Sequence, residues 1–296
     1  MGNASAAVSG VLLIDKPVGP SSNAVLQRAK RLLGARRAGH TGTLDPLASG
    51  LLVIALGEAT KFSAGILDAD KSYRAKLKLG ERTETGDAEG PVVSRAEVKV
   101  TRNELLAALE RYRGEIEQLP PRYAAIKHRG RPLYAYARRG EHVPRTARRV
   151  AIRRLELEKF EEDTVGLFVE CSKGTYIRVL AEDIGAALGC GAHLVALERT
   201  AVGPFALGQS MTLEALEAIS PAERRERLLP LESLLQSWPR LTLEASLAAK
   251  FRQGQAVSVA CTSGNVAVFG EDGVFLGTGE VDSSRTLQPK RLLALH

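Results

Sequence analysis

The sequence has no run of apolar residues long enough to cross a bilayer, although apolar residues make up 44% of it. No membrane partner is therefore expected. Met1 to Gly10 is small and polar, with no basic segment ahead of an apolar stretch, so no signal peptide is expected. Gly2 follows Met1, but Ala6 stands where a myristoylation motif needs Ser or Thr. Cysteine is scarce: Cys171, Cys190 and Cys261 are far apart and fit neither a disulfide framework nor a metal cluster. They read as buried thiols of a cytoplasmic protein. The five histidines are scattered at 40, 128, 142, 193 and 296, which argues against a zinc site. The Gly-x-x-x-x-Gly-Lys-Ser/Thr phosphate cradle is missing, and so is a Gly-x-Gly-x-x-Gly between strand and helix. No metal and no cofactor is expected.

The net charge is concentrated in one place. Residues 127–149 carry eight cations (Lys127, Arg129, Arg131, Arg138, Arg139, Arg145, Arg148 and Arg149) against Glu141 alone, and this +7 equals the excess of the whole chain. A neutral body with one basic arm points to a polyanion, and Tyr134 and Tyr136 inside the arm suit base stacking. A solvated charged loop is the plain alternative.

Periodicity outlines an α+β chain. Val11–Ile14 reads as a strand. Ser22 or Asn23 caps a helix through Leu33, ended by Gly34. Residues 35–50 read as a glycine-rich loop leading to an apolar strand, Gly50–Leu56. Tyr73–Leu79 and Val165–Cys171 alternate as half-buried strands. Thr101 and Glu104 form a capping box for a helix ending before Gly114, and Arg178–Leu188 is a further helix. A helical, charge-rich stretch spans 212–236. Beyond it, short strands with a Glu271-Asp272-Gly273 turn suggest a small β-domain. The expected division is a catalytic domain over 1–237, containing the basic insertion 127–149, and a small domain over 238–296.

The densest constellation is Gly39-His40-Thr41-Gly42-Thr43-Leu44-Asp45-Pro46-Leu47-Ala48-Ser49-Gly50. An Asp in such a loop is ordinarily a turn former. Here it is flanked by Leu44, Leu47, Leu51 and Leu52, which are expected to surround it. With cofactor and metal motifs missing, a carboxylate nucleophile is the chemistry left open.

The string GHTGTLDPLASGLLVIALGEATK (39–61) resembles the hallmark motif of the TruB family of tRNA pseudouridine synthases. GVLLIDKPVGPSSN (10–23), KSYRAKLKLGERTETGDAEG (71–90), CSKGTYIRVLAEDIG (171–185) and GAHLVALERTAVGPF (191–205) resemble its other motifs, in order. The resemblance implies a mixed, largely antiparallel-sheet core with a PUA-like tail. It implies isomerisation of uridine 55 in the tRNA T-loop, after the base is flipped out. The family's catalytic aspartate, tyrosine and arginine fall on Asp45, Tyr73 and Arg178. Substrate contacts fall on Lys16, His40, Tyr176 and Leu197. The insertion, with Lys127, Arg129, Arg131, Arg138, Arg139, Arg148 and Arg149, is expected to grip the T-arm stem-loop of a tRNA, bound by a monomer. Glu198 departs from the family, standing where a basic residue is usual. Two other functions stay open: a non-catalytic RNA-binding or tRNA-folding protein, and a glycosidase with Asp87 or Asp183 as second carboxylate.

Overall fold

The computed structural model describes residues 8–124, 126–137 and 139–294, with backbone only for Lys127, Pro132 and Tyr134. Arg138 and residues 1–7 lie outside the described residues, as do the side chains of Lys127 and Tyr134.

The strand β3, Ala48–Leu56, explains the architecture, because nearly every residue in it is buried. A strand so uniformly apolar must be covered on both faces. Leu51, Val53 and Ala55 pack on one side with Val11, Leu13 and Phe62. Leu52, Ile54 and Leu56 pack on the other with Val25, Leu26 and Ala29 of the helix Ser22–Leu32. Beside β3 lies β1, Gly10–Lys16, antiparallel, and on its other side Ala192–Val202, parallel. β4, Lys71–Leu79, follows antiparallel to Ala192–Val202, then Thr164–Cys171, Arg148–Glu161 and Gly114–Gln118. The large sheet is thus mixed and mostly antiparallel. β4 alternates as its sequence implies: Tyr73, Ala75, Leu77 and Leu79 are buried, while Arg74 and Lys76 are exposed. Its buried face packs on Leu180 and Ile184 of the helix Ile177–Ala187. Thr101 and Glu104 form the expected capping box, on a helix of residues Arg102–Glu110.

The tail forms a separate five-stranded sheet, in the order Arg240–Leu243, Gly264–Gly270, Phe275–Val281, Thr286–Leu292 and Val257–Ser258. Its helix Ala245–Arg252 places Phe251 in a core of Leu243, Val266, Val268 and Leu276. Its other face joins the large sheet: Phe275 meets Phe62 edge-on at 5.1 Å, and Ala267 and Phe269 share the cluster of Val11 and Leu13. Among the described residues, no helix is long and apolar enough to cross a membrane.

Four sequence expectations are corrected. The first helix is capped by Ser21, not by Ser22 or Asn23: the Ser21 hydroxyl accepts from the Ala24 N–H at 3.2 Å. Ser22 points inward instead. Residues 35–50 are not all loop: Ala38–His40 forms a short strand, β2, on β3, and β3 itself starts at Ala48. The stretch 212–236 is broken into Leu213–Ala218, Pro221–Glu226 and a single 3₁₀ segment Leu231–Leu235, because Pro221 and Pro230 interrupt helical hydrogen bonding. The sequence reading also missed the strand Arg240–Leu243, which pairs in parallel with Gly264–Gly270.

Ser22 links helix and loop. Its hydroxyl donates to the Leu44 carbonyl and accepts from the Leu44 N–H, both at 2.8 Å, and it is 1% exposed. Ser22→Ala leaves a buried N–H and C=O unpartnered beside Asp45. Such a loss is expected to cost about 1–3 kcal/mol in a urea melt. An unchanged midpoint would mean that the loop holds its shape without Ser22.

Candidate active site

Asp45 is held by the backbone around it. The Ala48 N–H donates to the Asp45 carbonyl at 3.0 Å, and the Gly19 N–H donates to the Pro46 carbonyl at 2.8 Å. Thr41 N–H reaches the Val53 carbonyl at 3.1 Å. The segment therefore leaves β2, turns through Asp45 and re-enters the sheet at Ala48 with little freedom.

The carboxylate lies at a cavity of about 400 Å³. Its wall combines the 41–45 loop with Tyr73, Tyr176, Arg178 and Leu197. Five of the seven residues expected at the site thus meet there: Asp45, Tyr73, Arg178, Tyr176 and Leu197. His40 and Lys16 do not line this cavity. The leucines do not surround Asp45 as expected. Leu51 and Leu52 point into separate cores on opposite faces of β3, and the Asp45 side chain is 43% exposed. Period two in β3 makes this unavoidable. The apolar wall comes from Leu44, Leu67, Ile126, Ile177 and Leu197.

Arg178 Nη2 meets Asp45 Oδ2 at 2.9 Å, as the resemblance implied. The same guanidinium reaches Asp87 Oδ2 through Nε at 3.5 Å. It also donates to the carbonyls of Thr85 at 3.3 Å and Tyr123 at 3.0 Å. Its planar fork is thus engaged on every side, which fixes the nitrogen that faces Asp45. Asp87 is buried and occupied: its Oδ1 accepts from the Thr85 hydroxyl at 2.5 Å and from the Glu89 N–H at 3.1 Å. The sequence reading raised Asp87 only as a hydrolytic carboxylate and missed its place behind Arg178.

Tyr73 is buried, and burial pushes its hydroxyl up, with the charge of Arg199 opposing. The phenol therefore stays protonated near neutral pH. Tyr176 caps the helix that carries Arg178. Buried Gln118 grips its backbone from both sides, accepting from the Tyr176 N–H at 2.9 Å and donating to its carbonyl at 3.3 Å. Burial raises the Tyr176 hydroxyl as well, against Arg148 and Arg178. Leu197 lies between Ala48 of β3 and Ala75 of β4. Burial lowers the His40 imidazole, assisted by Arg199, and its Nδ1 has no partner among the described residues. Neither Gln118 nor Arg199 was singled out in the sequence. Period two along 192–202 offered a signal, since it puts a charged Arg199 on the face of Leu197.

In the basic insertion, residues 127–132 form a tight hairpin followed by the helix Leu133–Ala137. Tyr136 is turned inward: its hydroxyl donates to the His128 carbonyl at 3.1 Å, and Arg139 stacks over its ring at 5.5 Å. Arg139 also pairs with Glu141 at 3.0 Å, and Arg149 with Glu117 at 4.0 Å. Arg145 donates to the Pro120 carbonyl at 2.8 Å. Arg129, Arg131 and Arg148 are exposed. None of the insertion's described arginines lines the cavity.

Lys16 is fully buried and donates to the carbonyls of Ala48 at 2.6 Å and Pro17 at 2.8 Å. Burial brings its ammonium down to about 8, outweighing Asp45 and Glu89. In the unfolded chain it titrates near 10.5. Between the two values the unfolded chain holds the extra proton. Its contribution to stability therefore grows as pH rises through that window and is lost as pH falls through about 8. Comparing wild type with Lys16→Met at about pH 7.5 and about pH 10, the stability difference should move toward wild type by on the order of 2–3 kcal/mol. A gap that ignores pH would contradict the burial of a charged Lys16.

Three family models tile the chain. "TruB family pseudouridylate synthase (N terminal domain)" matches residues 30–177, "tRNA pseudouridylate synthase B C-terminal domain" 178–236, and "Pseudouridine synthase II TruB, C-terminal" 239–293. The tRNA pseudouridine synthase B of Azoarcus sp. (strain BH72) is 55% identical over 289 residues, covering 97% of this chain and 95% of that protein. The tRNA pseudouridine synthase B of Aromatoleum aromaticum is 53% identical over 289 residues, covering 97% and 93%. A chain of a Cbf5-Nop10-Gar1 complex superimposes with a TM-score of 0.75 at 27% identity, covering 96% of this chain and 84% of that one. With matched models and relatives spanning almost its whole length, the chain belongs to the TruB family of pseudouridylate synthases.

Proposed function

We infer that the chain isomerises uridine 55 in the T-loop of tRNA to pseudouridine, with Asp45 as the nucleophile. The observation that carries this reading is the Arg178–Asp45 contact at 2.9 Å on the wall of a cavity large enough for a base. The tRNA substrate rests on the relatives, which are tRNA pseudouridine synthases B.

The reaction breaks the bond from N1 to C1′, turns the uracil, joins C5 to C1′, and leaves a proton on N1 in place of the one lost from C5, exchanged with solvent. Nothing is oxidised and no phosphate moves. A carboxylate serves each route to that product, by attack at C1′, by attack at C6, or by assisting a glycal. All three need a carboxylate oxygen aimed at the sugar or base, and the Arg178 guanidinium holds the Asp45 carboxylate by one oxygen at 2.9 Å. The target base lies in a folded loop and must be extruded, at a cost of a few kcal/mol recovered in the pocket. Tyr73 offers a ring to stack on it, and Leu197 and Tyr176 complete the walls. His40, whose imidazole burial shifts toward the neutral form, fills the space the base leaves, a role carried over from the family resemblance. The insertion supplies phosphate contacts through Arg129, Arg131 and Arg148, while Arg139 and Arg149 must first release their carboxylates. The tail from 238 onward, with a sheet of its own, is the natural second domain, although its Phe275 and Phe269 also belong to the core of the first.

Hydrolysis is the weaker reading, because it needs a second carboxylate free to activate water. Asp87 is buried and fully bonded, and Asp183 lines a different cavity.

Asp45→Asn should lower tritium release from C5-labelled uridine in a T-arm stem-loop by at least about 10,000-fold while RNA binding survives. Retained activity would remove Asp45 from the chemistry, and free uracil among the products would favour hydrolysis. Replacing Arg129, Arg131 and Arg148 with Ala should weaken binding and flatten the plot of log affinity against log salt by roughly 0.7–0.9 per lost phosphate contact. An unchanged slope would take the insertion off the RNA.

A further inference from the structure

Arg199 is the largest wholly buried side chain among the described residues, at 1% exposure. Its strand register sets it opposite Tyr73 on β4 and opposite Gly50 on β3. Its Nε donates to the Leu51 carbonyl at 2.7 Å, and its Nη2 donates to the Gly42 carbonyl at 3.1 Å. These two carbonyls bracket the loop that presents Asp45. Among the described residues no carboxylate pairs with Arg199, whereas Arg178 has two.

A buried cation without a counter-charge is costly, and an apolar side chain of similar volume would fill the same space more cheaply. The strand that carries it is packed hard against β3: a Cβ at Gly50 would stand 2.4 Å from the backbone carbonyl oxygen of residue 199, so the Arg199 backbone has no room to shift. The Gly42 Cα side faces Nη1 at ordinary contact distance, 3.4 Å from where a Cβ would stand. The guanidinium also lines the cavity beside Tyr73. Its charge reaches the neighbouring groups: it opposes the rise of the Tyr73 hydroxyl and assists the fall of His40 and Lys71.

We propose that Arg199 is a positioning residue for pseudouridine formation, tying both ends of the Asp45 loop to the strand beside Tyr73 so that carboxylate and ring hold one separation. Arg178 orients the carboxylate itself; Arg199 sets where the loop stands. The proposal rests on the functional reading above.

The test uses the full chain with Arg199→Lys and Arg199→Gln. Lysine keeps the charge but offers one compact donor group, and glutamine keeps a planar donor without charge. Neither spans both carbonyls. Both variants should fold, bind a T-arm stem-loop within about threefold of wild type and lose about 100-fold in single-turnover tritium release at saturating enzyme. The Arg199→Lys and Tyr73→Phe losses should be non-additive in the double variant, because the two residues act as one unit. A rate close to wild type would overturn the proposal. So would a loss that disappears at saturating enzyme, which would make Arg199 a binding residue. Unfolding of both variants, or additive losses, would reduce it to a filler of the core. Wild-type protein that releases no tritium would instead sink the functional reading and leave the geometry of Arg199 untouched.

Discussion

One guanidinium shared by two carboxylates organises this site. Arg178 has Asp45 on one nitrogen at 2.9 Å and Asp87 on another at 3.5 Å. Asp87 is anchored by Thr85 and Glu89, so the charge behind the arginine is fixed. Carbonyls of Thr85 and Tyr123 take the remaining reach of the fork. The result is a cation with one exposed client, Asp45, and no freedom to turn away. Removing Arg178 would strand Asp87, a buried carboxylate, which is why this pair reads as an organising element rather than a surface ion pair.

The loop opposite obeys a different logic. Its carbonyls, not its side chains, are the attachment points. Lys16 takes the Ala48 carbonyl, Ser22 the Leu44 carbonyl, and Arg199 those of Gly42 and Leu51. Two buried cations without ion-pair partners among the described residues therefore place three hydrogen bonds on one short segment, 42–51. The geometry of Asp45 relative to Tyr73 is then a property of the sheet, since β1, β3, β4 and Ala192–Val202 each contribute a contact or a wall. Sites built on strands in this way are more sharply positioned than sites on free loops.

Much of this was legible in the sequence because it is periodic or local. The alternation of 73–79 and 165–171 gave their buried faces correctly, and Thr101 with Glu104 gave a helix start. The Asp45 loop stood out by its composition, but its arginine came from motif resemblance, not from spacing, since 132 residues of chain lie between partners that meet at 2.9 Å. What escaped were long-range relations. Ser22 looked like a cap because hydroxyl residues cap helices; only the packing of Leu44 makes it a bridge. Leu51 and Leu52 looked like neighbours of Asp45 because they are near in sequence, whereas the pleat sends them to opposite cores. Arg199 and Gln118 looked like ordinary strand residues, and their partners lie far along the chain. In the insertion, the charge count was right but Tyr136 proved to be engaged with His128 rather than free for bases.

On this reading the Asp45 carboxylate, held by Arg178, faces the reacting sugar and base. A crystal structure of the protein with a T-arm stem-loop tests it most directly. The target uridine should lie out of its stack, against Tyr73, with an Asp45 oxygen about 3–3.5 Å from C1′ or C6 and Arg178 still on Asp45. A target base left in the RNA stack, or an Arg178 that has exchanged Asp45 for a phosphate, would contradict it.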